Sequence, residues 1–65
     1  MLLDKARPYA VVEDAGGEHE RVIKRCETYD QALDYMDKHY GLAEIDHLFV
    51  DVMGVYENGS LTTEI

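Results

Sequence analysis

The feature that most constrains the fold is a capped amphipathic helix near the middle of the chain. Thr28 is a good N-cap, and Gln31 three residues later completes a capping box. Asp30 suits the positive end of the helix dipole, and Gly41 offers a C′ position at which the helix can end. The pattern predicts one helix at residues 29–40, and the segments on either side have to pack around it.

This helix has one apolar face and one acidic face. At about 100° per residue, the apolar face holds Tyr29, Ala32, Leu33, Met36 and Tyr40, and the far side holds Asp30, Asp34 and Asp37, with Glu27 added as if it were helical. Like charges three or four residues apart cost a few tenths of a kcal/mol each, and only Asp34 has a base, Lys38, at the offsetting position. We interpret this acidic row either as a partner-binding surface or as an ordinary solvated face.

The segments before the helix predict a first β-hairpin. Residues 9–14 are rich in strand formers and follow Pro8, which the start of a strand tolerates. Gly16 and Gly17 are a turn signal, and residues 18–26 form the returning strand.

The segments after the helix predict a second hairpin. Residues 45–56 are the longest strand candidate, in which Gly54 indicates a bulge or bend. Asn58-Gly59 favours a type I′ turn before a short edge strand at residues 61–65. The predicted fold is α+β with the order ββαββ: a four-stranded antiparallel sheet with one helix packed on one face. It forms a single domain over residues 1–65, with residues 1–7 as a flexible N-terminal segment.

The third predicted strand has too many apolar residues for a sheet with one free face. Leu48, Val50, Val52 and Tyr56 form one row, and Ile45, Phe49, Met53 and Val55 supply the other apolar positions. A strand with one solvated face should alternate with polar residues. We therefore expect burial on both faces. A second copy could cover the second row, which predicts a homodimer interface at Ile45, Phe49, Met53 and Val55. Alternatively, a curved sheet and residues 1–3 cover it.

The small size of the chain also favours self-association. Its 65 residues contain one cysteine, Cys26, which excludes an internal disulfide. Domains of this size often need oligomerisation for stability.

The net charge of −8 is concentrated in one part of the sequence. Residues 1–26 contain five acids and five bases, whereas residues 27–65 contain nine acids and one base. Such a field repels nucleic acid and attracts basic surfaces, although solubility alone could account for it. The sequence contains no stretch of about 20 apolar residues and no signal-peptide pattern. We expect a soluble cytoplasmic protein that binds neither membranes nor nucleic acid directly.

Catalytic and metal-binding motifs are not visible. No set of nucleophile, base and orienting group stands out, and His19, His39 and His47 lack ligand-like spacing to one another or to Cys26. The sequence predicts no enzyme, no metal site and no cofactor.

Two functions remain open. The first is a small acidic interaction module that docks Glu27, Asp30, Asp34 and Asp37 on a basic, nucleic-acid-binding surface of another protein. In size, charge and helix row the chain resembles phage-encoded inhibitors of host defence, including anti-CRISPR proteins and DNA mimics, and this resemblance implies inhibition by charge mimicry. The alternative is a homodimeric assembly module in which an apolar sheet face does the work and the acids serve solubility.

Overall fold

Six short elements follow one another in the order ββααββ in the computed structural model, which describes residues 2–65. They are β1 (Tyr9–Glu13), β2 (Arg21–Cys26), α1 (Tyr29–His39), α2 (Leu42–Leu48), β3 (Asp51–Val55) and β4 (Leu61–Thr62). The strands form one antiparallel sheet in the order β2-β1-β3-β4. The predicted α+β class and four-stranded antiparallel sheet are confirmed, and the predicted single helix is wrong because a second one follows it.

The first hairpin forms close to where the turn signal places it. β1 and β2 pair from Tyr9 opposite Cys26 to Glu13 opposite Arg21, with a register shift between Val11 and Val12. The loop between the strands is held by the Asp14 carboxylate, which accepts the His19 N–H at 2.9 Å.

Helix α1 begins at the predicted cap. The Thr28 hydroxyl oxygen accepts the Gln31 N–H at 3.1 Å, and the Gln31 side chain accepts the Glu27 N–H at 3.0 Å. The second bond reaches one residue before the cap, so the capping box is a displaced version of the usual one. The helix ends at His39, and Tyr40 is already extended.

Gly41 does not end α1 as a C′ residue but starts α2. Its φ of −78° is ordinary for any residue, and its N–H donates to the Glu44 side chain at 3.2 Å. The strand predicted at residues 45–56 is therefore wrong in its first part. Leucine, alanine and glutamate at residues 42–44 are strong helix formers, and Glu44 satisfies an N–H at the start of the helix.

Helix α2 ends in a way that its sequence does not signal. Phe49 has φ 52° and ψ 49°, the left-handed conformation usually taken by glycine at this position. The Val50 N–H donates back to the Ile45 carbonyl at 3.0 Å, as in a Schellman motif. This reversal turns the chain into β3, which begins only at Asp51.

The turn between β3 and β4 also differs from the prediction. Gly59 has φ +90°, whereas Asn58 is not in the left-handed region. A type I′ turn requires positive φ at both central residues. The observed bonds, from the Gly59 N–H to the Tyr56 carbonyl and from the Tyr56 N–H to the Ser60 carbonyl, enclose a three-residue loop instead.

Buried side chains lie on both faces of the sheet. The helix-side cluster contains Val11, Cys26, Ala32, Val50 and Val52, with Ile45 of α2 packed against it. The opposite cluster contains Ala10, Val12, Met53 and Val55, with Ala15 and Leu61 packed against it. Met53 and Val55 are 4% and 2% exposed in the single chain, so a second copy is not needed to bury them.

Gly54 lies in regular pairing with Tyr9 and Thr62, so the structure shows no bulge there, and a bend at this position stays a prediction. Glycine serves close packing instead, because a Cβ at this position would approach side chains of Leu3, Thr62 and Ile65. Leu3 therefore lies on the face opposite Met53 and Val55.

The N-terminal segment is tied to the end of β3. The Asp4 N–H donates to the Val55 carbonyl at 2.8 Å, and the Glu57 N–H donates to the Leu2 carbonyl at 3.0 Å. Met1, at the start of the predicted flexible segment and of the predicted cover for the second face, lies outside the described residues. The flexibility of residues 1–7 stays a prediction.

Candidate interaction surface

Three members of the acidic row, Asp30, Asp34 and Asp37, lie along the outside of α1, and Glu27 precedes its N-cap, Thr28. Glu27, Asp30, Asp34 and Asp37 are all exposed. Asp34 pairs with Lys38 at 2.9 Å, and a pair this exposed contributes little to stability. The three carboxylates on α1 therefore stand in solvent about one helical turn apart, and the exposed Glu27 lies just before the helix.

A groove between α1 and α2 places apolar side chains beside this row. It has a volume of about 470 Å³ and is lined by Leu33, Asp34, Met36, Asp37, Leu42 and Ile45. Leu33, Met36 and Ile45 belong to the rim of the core, whereas Leu42 is 86% exposed. Two carboxylates of the row thus border an apolar floor.

A second groove lies on the other side of α2, where the helix meets the start of β3. It has a volume of about 330 Å³, with an apolar lining of Ala15, Leu42, Ile45, Phe49 and Val50 and two carboxylates, Asp46 and Asp51. Phe49 is 65% exposed. Leu42 and Ile45 line both grooves, so α2 presents one apolar ridge between two acidic borders.

Most of the basic side chains collect in a groove on the β2 side of α1. A groove of about 420 Å³ between α1 and β2 is lined by ten residues, among them Arg7, Lys24, Arg25 and Lys38. These are four of the six lysines and arginines in the chain. Two are engaged: Arg25 donates to the Arg7 carbonyl at 2.6 Å, and Lys38 pairs with Asp34. Glu27 and Asp34 of the acidic row line the same groove, so side chains of both signs meet there.

A partly buried hydrogen bond links the sheet to the end of α1. The Tyr40 hydroxyl donates to the Glu13 carboxylate at 2.7 Å, and Arg21 contacts the same carboxylate at 3.0 Å. The bond from Tyr40, with the Arg21 contact, lowers the pKa of Glu13 below its usual value. Burial, and then the bond to Glu13, raises the pKa of Tyr40 to about 12.

The predicted dimer row is not one row in the structure. Ile45 lies on α2 and packs toward the helix-side core, Phe49 is the exposed residue after α2, and Met53 and Val55 are buried in the opposite cluster. The prediction assumed that side chains at residues 45–56 alternate between the two faces of a strand, and it was wrong for the first part because residues 45–48 are helical. Contact of these residues with a second copy stays a prediction.

Sequence reasoning missed the grooves on either side of α2. The signal was present, because Leu42, Ile45 and Phe49 recur at positions i, i+3 and i+7, the spacing of one helical face. This helical spacing was overlooked because residues 45–56 were interpreted as a strand.

Comparison of the chain with family models, with curated proteins and with solved structures yields no match. Among residues 2–65, neither helix is long and apolar enough to cross a membrane.

Proposed function

We propose that this protein is a non-enzymatic interaction module that docks the outer face of α1 on a basic surface of another protein. The contact residues are Glu27, Asp30, Asp34 and Asp37. The partner surface is one that otherwise binds nucleic acid, so docking inhibits its partner by occupying that site in the cytoplasm.

The observation that carries the proposal is the groove between α1 and α2. Carboxylates alone would serve solubility, but Asp34 and Asp37 border an apolar floor that includes the 86%-exposed Leu42. Interface centres combine apolar contact with complementary charge at the rim. Basic nucleic-acid-binding surfaces offer the matching charge. The Cβ atoms of residues three or four apart on a helix are about 5–6 Å from each other, which is of the same general size as the phosphate spacing along one strand.

Charge reversal on α1 tests the proposal. Asp30→Lys with Asp37→Lys leaves the Asp34–Lys38 pair intact, and the two changes have opposing effects on the helix dipole. The probe is a basic DNA-binding protein isolated on the immobilised wild-type chain and then purified. We expect the double variant to bind it at least tenfold more weakly. Duplex DNA should compete with the wild-type chain, and binding should weaken with salt.

The matched control is Glu57→Lys with Glu64→Lys. Both residues are exposed, and either double variant changes the net charge from −8 to −4. If the two double variants lose affinity equally, the affinity depends on net charge and not on the acidic residues of α1. If DNA does not compete, the occupied surface is not a nucleic-acid site. Either result contradicts the proposal.

A homodimeric assembly module is the second candidate, with the acids serving solubility. It is favoured by the exposure of Phe49 and Leu42, 65% and 86%, because exposed apolar clusters often mark association surfaces. Light scattering decides it: this candidate requires a dimer mass that is stable at low and high salt, and a monomer contradicts it.

A further inference from the structure

Phe49 is unfavourable at its position in two respects, its backbone conformation and its exposure to solvent. The left-handed conformation costs an L-residue roughly 1–2 kcal/mol, and glycine or asparagine is the usual occupant. Phe49 nevertheless adopts it, with φ 52°, at the end of α2. Its ring is also 65% exposed. Neither the helix stop nor the core therefore accounts for a phenylalanine here.

The ring of Phe49 contributes to a built groove. It lines the 330 Å³ space between α2 and β3 together with Leu42, Ile45 and Val50, and the carboxylates of Asp46 and Asp51 border the same space. Hydrogen bonds fix the backbone from which the ring projects, because the Phe49 carbonyl accepts the Ala15 N–H at 3.0 Å and the Val50 N–H donates to the Ile45 carbonyl at 3.0 Å. An apolar groove with two carboxylates and no base in its lining is suited to an apolar side chain flanked by lysine or arginine.

Charge decides between the two main occupants. In a twofold dimer through this groove, the same surface patch of both copies would meet. One interface would then enclose Asp46 and Asp51 of both copies and no base from the groove lining, with Asp34 and Asp37 close by in the adjoining groove. Like charges across an interface are costly. A basic partner has no such penalty.

We infer that the groove lined by Leu42, Phe49, Asp46 and Asp51 is a docking site for a basic segment that inserts an aromatic or large aliphatic side chain next to Phe49. The inference rests on the proposed function, since it assigns the anchoring contact of the same basic partner. The acidic row of α1 then provides charge, and the α2 groove provides the apolar anchor.

The absence of tryptophan from the chain allows a clean optical test. The probe is the peptide Lys-Lys-Trp-Lys-Lys with blocked ends, titrated with the protein at low salt. Tryptophan emission should shift to the blue and saturate as the ring enters the groove. Phe49→Gly should weaken binding at least tenfold while raising the denaturation midpoint, because glycine removes the left-handed strain.

Leu42→Ser provides a second variant if Phe49→Gly alters the fold. Leu42 is exposed on the groove, and Leu2→Ser is its matched control, since Leu2 is 66% exposed elsewhere. We expect Leu42→Ser to weaken peptide binding severalfold and to reduce the blue shift of the tryptophan emission. Leu2→Ser should change neither quantity.

Three results would overturn the inference. In the first, the peptide binds without a blue shift and only Asp30→Lys with Asp37→Lys weakens its binding. The proposed function would then stand, and the α2 groove would not be the anchoring contact. In the second, the peptide does not bind. In the third, light scattering shows a dimer that Phe49→Gly converts to a monomer, which assigns the groove to a second copy.

Discussion

At the scale of single residues, the hydrogen bond from Tyr40 to Glu13 makes part of the stability depend on pH. The pKa of Glu13 is lowered from 4.5 in the folded state, so its contribution is present above pH 4.5 and is lost as pH falls through the folded pKa. The pKa of Tyr40 is raised from 10.0 to about 12, so its contribution is present below pH 10 and is lost as pH rises toward 12.

We therefore predict that Tyr40→Phe lowers the free energy of unfolding most between pH 4.5 and 10, and that its difference from the wild type shrinks on either side. Urea denaturation across this pH range measures it. Tyr56→Phe makes the same chemical change at the end of β3, away from Glu13, and should show no such window. A pH-independent difference for Tyr40→Phe would contradict the assignment.

Phe49→Gly is predicted to increase the free energy of unfolding by about 0.5–1 kcal/mol, because relief of the left-handed conformation exceeds the entropy cost of glycine. Loss of stability in this variant would mean that the ring of Phe49 contributes more to packing than its 65% exposure indicates.

At the scale of elements, α1 depends on its N-terminal cap. Thr28→Ala removes the oxygen that accepts the Gln31 N–H at 3.1 Å, and we expect it to cost about 1 kcal/mol of stability. Thr63→Ala, an exposed threonine outside helices and strands, is the control and should be nearly neutral. Equal losses for the two variants would show that the cap is not what stabilises α1.

The elements differ in how well the sequence predicts them. α1 was predictable because Thr28 and Gln31 act locally, and the first hairpin because Gly16-Gly17 lies between two strand-forming runs. α2 was not, because its stop is a left-handed phenylalanine where glycine would be expected, and because isoleucine, valine and phenylalanine near it are strand formers. The reversal at Phe49 is held by hydrogen bonds from the Asp14 and Ala15 N–H groups, just after β1, to the Leu48 and Phe49 carbonyls. Patterns within a short sequence window do not predict such long-range bonds.

The candidate site was predictable only in part. The helical period alone placed Glu27, Asp30, Asp34 and Asp37 on one outer face. The apolar groove beside them requires α2, so Leu42, Asp46 and Asp51 had no assigned role once residues 45–56 were read as a strand. Ile45 and Phe49 were singled out for the apolar face of a sheet, and they lie on the ridge of α2 instead.

At the scale of the whole molecule, the bases are concentrated at one groove, whereas carboxylates occur in that groove and in both grooves of α2. Four of the six bases line the α1–β2 groove. A net charge of −8 on a small chain opposes compaction. We predict that raising NaCl from about 10 mM to about 500 mM, which shortens the Debye length from about 30 Å to under about 5 Å, stabilises the fold modestly in thermal denaturation. The gain should be smaller in both variants of net charge −4, and an equal gain would mean that self-repulsion is not its cause.

The most direct test of a docking surface on α1 and α2 is a map of backbone amide shifts in the isotope-labelled protein, titrated with its purified basic partner. We predict that the perturbed amides cluster at residues 27–37 and 42–51 and that those of β2 and β4 stay unchanged. Perturbations centred on β2 at residues 21–26, or on the β4 edge at residues 61–65, would place the contact elsewhere and contradict the account.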